Sequence, residues 1–162
     1  MTVAVAIDLD GALGDTHGLW RAFLDDAARR FRSIAELDPA SLPEDRAAAA
    51  EQLDRWAASG VGDWRAALGR FAEDHAPVHL RPSAEVSAAL RALAAAGCRL
   101  GAFTDAPAEL ACVALAHLGA ARRIGVLETG AGARERLLER LGPGAVVADS
   151  REALARAAGS RS

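Results

Sequence analysis

Two aspartates two residues apart, Asp8 and Asp10, follow the apolar run 2–7 and are followed at once by Gly11, then by Asp15 and Thr16. The run is short and rich in β-branched residues, and so reads as a strand buried on both faces. In open α/β sheets, ligands bind beyond the carboxyl ends of such strands, which is where these acids fall. Carboxylates gathered there repel one another unless a cation joins them. The chemistry on offer is therefore cation-assisted; the plain structural alternative is that the acids cap and solvate a strand end.

Further strand candidates lie at 99–103, 123–127 and 145–148, each next to a helical pattern. Strands alternating with helices predict βαβ units, hence an α/β fold with a parallel sheet and helices on both faces. Thr104, Asp105 and Asp149 follow the second and fourth runs directly. The helices carry their own punctuation. Ser83 caps one that buries Val86, Leu90 and Leu93 and stops at Gly97. Pro107 opens another that ends at Gly119. A third holds Leu137, Leu138 and Leu141 before Gly142, and a last one runs over about 151–158.

Between the first strand and Ser83 the pattern is helical only. Trp20, Phe23, Leu24, Ala27 and Phe31 line one face of an amphipathic helix. Ser41-Leu42-Pro43-Glu44 is a capping box opening a second, which buries Leu53 and Trp56 and stops at Gly60. Asp63 caps a third, with Trp64, Leu68 and Phe71 on its apolar side. This inserted unit holds all three tryptophans, so it is expected to have a small core of its own. His75 and His79 are spaced as in some zinc helices, but Pro77 between them is expected to break the helix.

A length of 162 residues fits one domain, and 41 alanines within a 51% apolar composition favour helix. A net charge of -3 and a pI near 5.8 exclude a partner bound by neutralising many nucleic-acid phosphates. All 19 basic residues are Arg, so Schiff-base chemistry is excluded. Two cysteines, no membrane-length apolar run and no signal-peptide pattern predict a cytoplasmic protein that meets no membrane.

The run from Val3 to Thr16 resembles the first motif of the haloacid dehalogenase-like hydrolase superfamily, apolar residues then D-x-D-G-T-L, with Ala12 in place of the Thr. Gly101-Ala102-Phe103-Thr104-Asp105-Ala106-Pro107 resembles the family's strand-T-N-x-P turn. The resemblance implies a Rossmann-like core, residues 1–14 and 79–162, with a helical cap, 15–78, inserted after the first strand. It also implies a phosphatase of small phosphorylated metabolites. Asp8 would be the nucleophile and Asp10 the general acid and base. Mg2+ would be held by Asp8, the backbone carbonyl of Asp10, and Asp149. Thr104 and Asp105 would bind phosphate; Thr104 or Asp105 as a helix cap is the structural alternative. The family's third-motif Lys is absent, and Arg134 is the cation in the expected region, 128–134; a solvated helix face is the other reading of Arg134 and Arg136. Ala148 replaces the Gly usual before the fourth-motif acid, and Glu152 reads as a first-turn acid of the last helix. His17 lies near the hinge of the insertion. The alternative function is an inactive relative that binds a ligand or a protein through the same crevice.

Overall fold

The apolar run near the N-terminus forms β1 (Ala4–Asp8), and it does so in the middle of a sheet. The computed structural model describes residues 2–31 and 38–161. β1 pairs with β2 (Arg99–Thr104) on one side and β4 (Val146–Ala148) on the other, while β3 (Val126–Thr129) lies outside β2. All three pairings are parallel, in the order β3-β2-β1-β4. The α/β class with a parallel, helix-flanked sheet is thus as the sequence predicts.

Register does the work that matters for the site. Asp8 pairs with Phe103, so Thr104 and Asp105 come just beyond it; Ile7 pairs with Ala148, so Asp149 comes level with Asp8. Alternation divides β1 between two layers. Val5 and Ile7 join the larger core, and Ala4 and Ala6 join Phe103, Leu137 and Leu141 on the other face. That second face is built of small residues so that α6 (Ala133–Leu141) can come close: a Cβ on Gly101 would lie 2.6 Å from Leu137 Cδ1.

The remaining helices are α1 (His17–Phe31), α2 (Arg46–Trp56), α3 (Trp64–His79), α4 (Ala84–Ala95), α5 (Ala108–His117) and α7 (Arg151–Gly159). Ser83 caps α4 by accepting from Val86 N at 3.4 Å, and Gly97 and Gly119 take the left-handed conformation past the ends of α4 and α5. Among the described residues, three α-helices, α1 to α3, stand between β1 and α4, as the pattern predicts. The side chain of Phe31, assigned to the apolar stripe of α1, lies outside the described residues. No helix among the described residues is long and apolar enough to cross a membrane.

Four local expectations are corrected. The third strand starts at Val126 rather than 123, because the Ala120 carbonyl accepts from both Arg123 N and Ile124 N and holds those residues in a turn. The cap of α2 is Asp45, which accepts from Ala48 N at 3.0 Å; Ser41 instead donates to Asp38 O in a short turn before it. Helix α3 runs through Pro77, since a proline in the last turn forfeits one hydrogen bond and Leu80 N still closes on Ala76 O at 2.8 Å. His75 stacks on Phe71, with ring centroids 3.9 Å apart, and bonds Phe71 O. Finally, the inserted helices have no core of their own. Trp20, Leu53, Trp64 and Leu68 share one contiguous cluster with Val5, Ile7 and Leu110, because α3 packs along α5.

Candidate functional site

β1 ends in a single wide turn, Leu9–Leu13, whose Leu9, Ala12 and Leu13 sink into the core and leave the backbone at 10–11 facing outward. Asp8 caps this turn: its Oδ1 accepts from Asp10 N at 3.1 Å and Gly11 N at 3.3 Å. The structural role foreseen for the acid is therefore real, but it uses one oxygen. Oδ2 receives no hydrogen bond among the described residues, and no buried polar side-chain atom lacks a partner, so Oδ2 reaches solvent. Gly11 is required by space. A Cβ there would stand 2.1 Å from the backbone carbonyl of Asp149 and 3.2 Å from Asp8 Oδ2, so the turn passes directly against the end of β4. Gly11→Ala must displace backbone rather than a flexible side chain, so it is expected to cost about 1–3 kcal/mol in denaturant unfolding.

Asp10 points the other way, into a buried polar knot. Its Oδ1 accepts from Thr16 N at 2.9 Å and Thr16 Oγ1 at 2.5 Å; its Oδ2 accepts from Thr104 Oγ1 and Arg46 Nη2, both at 2.7 Å. Arg46 is the first residue of α2, yet its side chain is only 1% exposed. Its Nη1 donates to Thr16 Oγ1 at 2.6 Å, and both Nε (3.1 Å) and Nη2 (2.6 Å) donate to Asp105 Oδ1. One guanidinium thus ties the inserted helices to the ends of β1 and β2.

The two aspartates are driven in opposite directions. Burial raises the Asp8 pKa most, and the charges of Asp10 and Asp149 add to it, outweighing the Gly11 and Asp10 N–H groups. Burial also pushes Asp10 upward, but the Arg46 charge and the bonds from Thr16 and Thr104 overcome it and leave its carboxyl below the ordinary value. Asp10 is therefore ionised where it stands. A depressed folded-state pKa contributes stability that is present above the unfolded value, 3.8, and is lost as pH falls through the folded one. Asp10→Asn is accordingly expected to flatten the loss of stability below about pH 3.8, as read by thermal unfolding across a pH series.

The other predicted residues divide. Thr104 is 2% exposed and meets Asp10, Arg46 and Ala106 N, so its hydroxyl belongs to the knot and caps no helix. Asp105 is there too, but its carboxylate is an acceptor held by Arg46, and only its backbone N–H is left to give to an anion. Arg134 lines the mouth of a cleft of about 450 Å³ with Asp8, Asp10, Thr104 and Asp105; it is exposed and forms no ion pair among the described residues. Arg136 does more than face solvent. It donates to Thr129 O at 2.6 Å, to Ala131 O and to Glu128 Oε2, so it pins the loop at the cleft edge. Glu152 is an exposed first-turn acid of α7.

Among the described residues, the three side chains whose ligand atoms fall within 4.8 Å of one another are Asp10, Asp15 and His17. Here His17 Nδ1 is already bound to Asp15 Oδ1 at 2.6 Å. Asp8, Asp10 and Asp149 do not form such a side-chain trio; Asp10 would enter by its carbonyl alone. A second cavity, about 380 Å³, lies between α1 and α3 and is lined by aromatic residues including Phe23, Trp64 and Phe71. It is remote from the strand ends where the acids converge, and the acid-lined cleft is the better candidate.

Sequence reasoning missed Arg46 and Thr16. Arg46 left a signal: with Ala49, Ala50 and Leu53 it falls at the i, i+3, i+4, i+7 positions of the buried face, where a charge is out of place.

No protein-family profile matches the chain, and no curated protein matches it in sequence. Among solved structures it is similar to the crystal structure of an HAD phosphatase from Thermococcus onnurineus, at 18% identity and a TM-score of 0.49. The match covers 79% of this chain and 62% of that one, so this chain spans less than two thirds of its neighbour.

Proposed function

We propose that this chain is a magnesium-dependent phosphohydrolase that acts on small phosphorylated metabolites through an aspartyl-phosphate on Asp8. The observation that carries the reading is the division of labour within one carboxylate. Asp8 Oδ1 is fixed by two backbone N–H groups, while Oδ2 is left open to solvent in a cleft of small-ligand size. A nucleophile needs both a held orientation and a free lone pair. In this reading, residues 15–78 form the cap over a core of 1–14 and 79–162.

The donor set suits magnesium. Asp8 and Asp149 offer hard oxygen ligands from the level ends of two paired strands, and the carbonyl of Asp10 would complete the protein's share. Bound there, the ion would neutralise charge between an anionic phosphoryl group and a carboxylate attacker. Asp8 Oδ2 forms the bond to phosphorus as the ester oxygen leaves, and water then cleaves the acyl phosphate. Ionised Asp10 suits the second half, in which a base takes a proton from that water. For the first half it must hold a proton to give to the leaving oxygen, a state that the Arg46 charge opposes. The same pairing favours a second reading, a ligand-binding protein in which Arg46 keeps Asp10 permanently ionised.

Phosphate release from an aryl phosphate, followed with magnesium and after its removal by chelation, tests the proposal. Metal-dependent turnover that vanishes in Asp8→Asn is expected. Equal rates in both proteins would overturn it in favour of the binding reading.

A further inference from the structure

We infer that Asp105 is a built-in stand-in for the ligand anion: at rest its carboxylate occupies Arg46, and an incoming phosphate group displaces it, making Arg46 the anion-binding residue of the cleft. The inference takes its anion from the phosphohydrolase reading and adds the residue that receives it and the contact that must break first.

The contact between the two is lopsided. Arg46 Nε and Nη2 form the edge of the guanidinium fork that matches two oxygens side by side. Here both converge on Asp105 Oδ1 alone, at 3.1 and 2.6 Å, and Asp105 Oδ2 takes no hydrogen bond among the described residues. A phosphate offering two oxygens would fill that edge better than the present occupant does. The partners of Arg46 also differ in how firmly they are held. Asp10 is 14% exposed and receives three further bonds from Thr16 and Thr104, whereas the Asp105 side chain is 45% exposed and can turn out into water. Solvation compensates a departing Asp105 and would not compensate Asp10.

Charge sets the direction of the exchange. Asp8, Asp10, Asp45, Asp105 and Glu135 all line the cleft, with Arg134 beside them, while Arg46, 1% exposed, does not reach its surface. An anion entering that field is opposed unless an acid leaves as it arrives. Asp105 is the one acid that can leave and expose a cation in doing so. Nη2 of Arg46 lies 3.4 Å from Thr104 Oγ1, so the vacated place is bordered by a hydroxyl as well.

Calorimetric titration with inorganic phosphate, in the presence of magnesium, separates this from a purely structural tie. Asp105→Asn removes the competing charge and is expected to bind phosphate roughly tenfold tighter than the wild type. Arg46→Gln is expected to show no measurable binding, and Arg46→Lys, which keeps the charge if the amide variant fails to fold, an intermediate affinity. Asp105→Asn binding no tighter than wild type, or a folded Arg46→Gln binding as well as wild type, overturns the inference. Phosphate binding by none of the proteins does so too, yet aryl phosphate turnover by the same wild-type preparation would leave the enzymatic reading standing. Tighter binding by Asp105→Asn without turnover in any protein supports the inference and counts against catalysis.

Discussion

Asp8→Asn is expected to lower metal-dependent phosphate release by about 10⁴-fold or more while the protein melts no lower than the wild type. The two halves of that result have separate causes. Asparagine keeps a carbonyl oxygen that can accept from Asp10 N and Gly11 N, so the wide turn after β1 retains its cap. What it loses is the negative charge on which the proposed nucleophilic role of Oδ2 depends. Burial and the neighbouring Asp10 and Asp149 raise the Asp8 pKa, which means that the folded state holds its proton more tightly than the unfolded chain does. A raised folded pKa contributes stability below the unfolded value, 3.8, that is lost as pH rises through the folded one. Neutral asparagine escapes that loss at pH 7. Initial rates on an aryl phosphate and a thermal melt of the same samples check both parts. A lower melting temperature would show that the carboxylate's structural role exceeds its capping bonds.

Arg46→Ala is expected to lose about 3–5 kcal/mol of stability, the usual cost of removing one partner from a buried pair. For a chain of this size that corresponds to a fall in melting temperature of roughly 10 °C. Most of the loss falls on Asp10, which keeps its three bonds from Thr16 and Thr104 but has its charge uncompensated. Asp105 contributes little, since water can replace the guanidinium at a half-exposed carboxylate. The variant also unties α2 from the strand ends, so protection from hydrogen exchange should fall first at Ala49 and Ala50, on the buried face of α2. Loss of less than about 1 kcal/mol would place Arg46 among surface-like pairs and contradict its burial.

The element pattern was legible because it follows from local rules. Ser83 and Asp63 cap α4 and α3 as their side chains dictate, and Gly97, Gly119 and Gly142 stop helices where a left-handed residue is needed. The errors fell where two local signals competed. Asp45 prevailed over Ser41 as the cap of α2. Pro77 sat too close to the end of α3 to break it. The expectation of a separate core failed for another reason: periodicity reveals that Trp64 and Leu68 share a face, and nothing in it reveals that the face meets α5.

By itself, the sequence determined the strand that ends at Asp8 just before Asp10, the alternation that makes the sheet parallel, and the arrival of Thr104, Asp105 and Asp149 at the ends of neighbouring strands. Spacing and handedness suffice for that, since parallel strands deliver their carboxyl ends to one edge. Only the tertiary structure decided which cation meets these acids. Arg46 lies 36 residues from Asp10 and 59 from Asp105 along the chain, and Arg134, the nearer candidate by motif order, stands exposed at the rim. A charge is buried only where several chain segments converge to solvate it in place of water, and that convergence belongs to packing and cannot be read from any one segment.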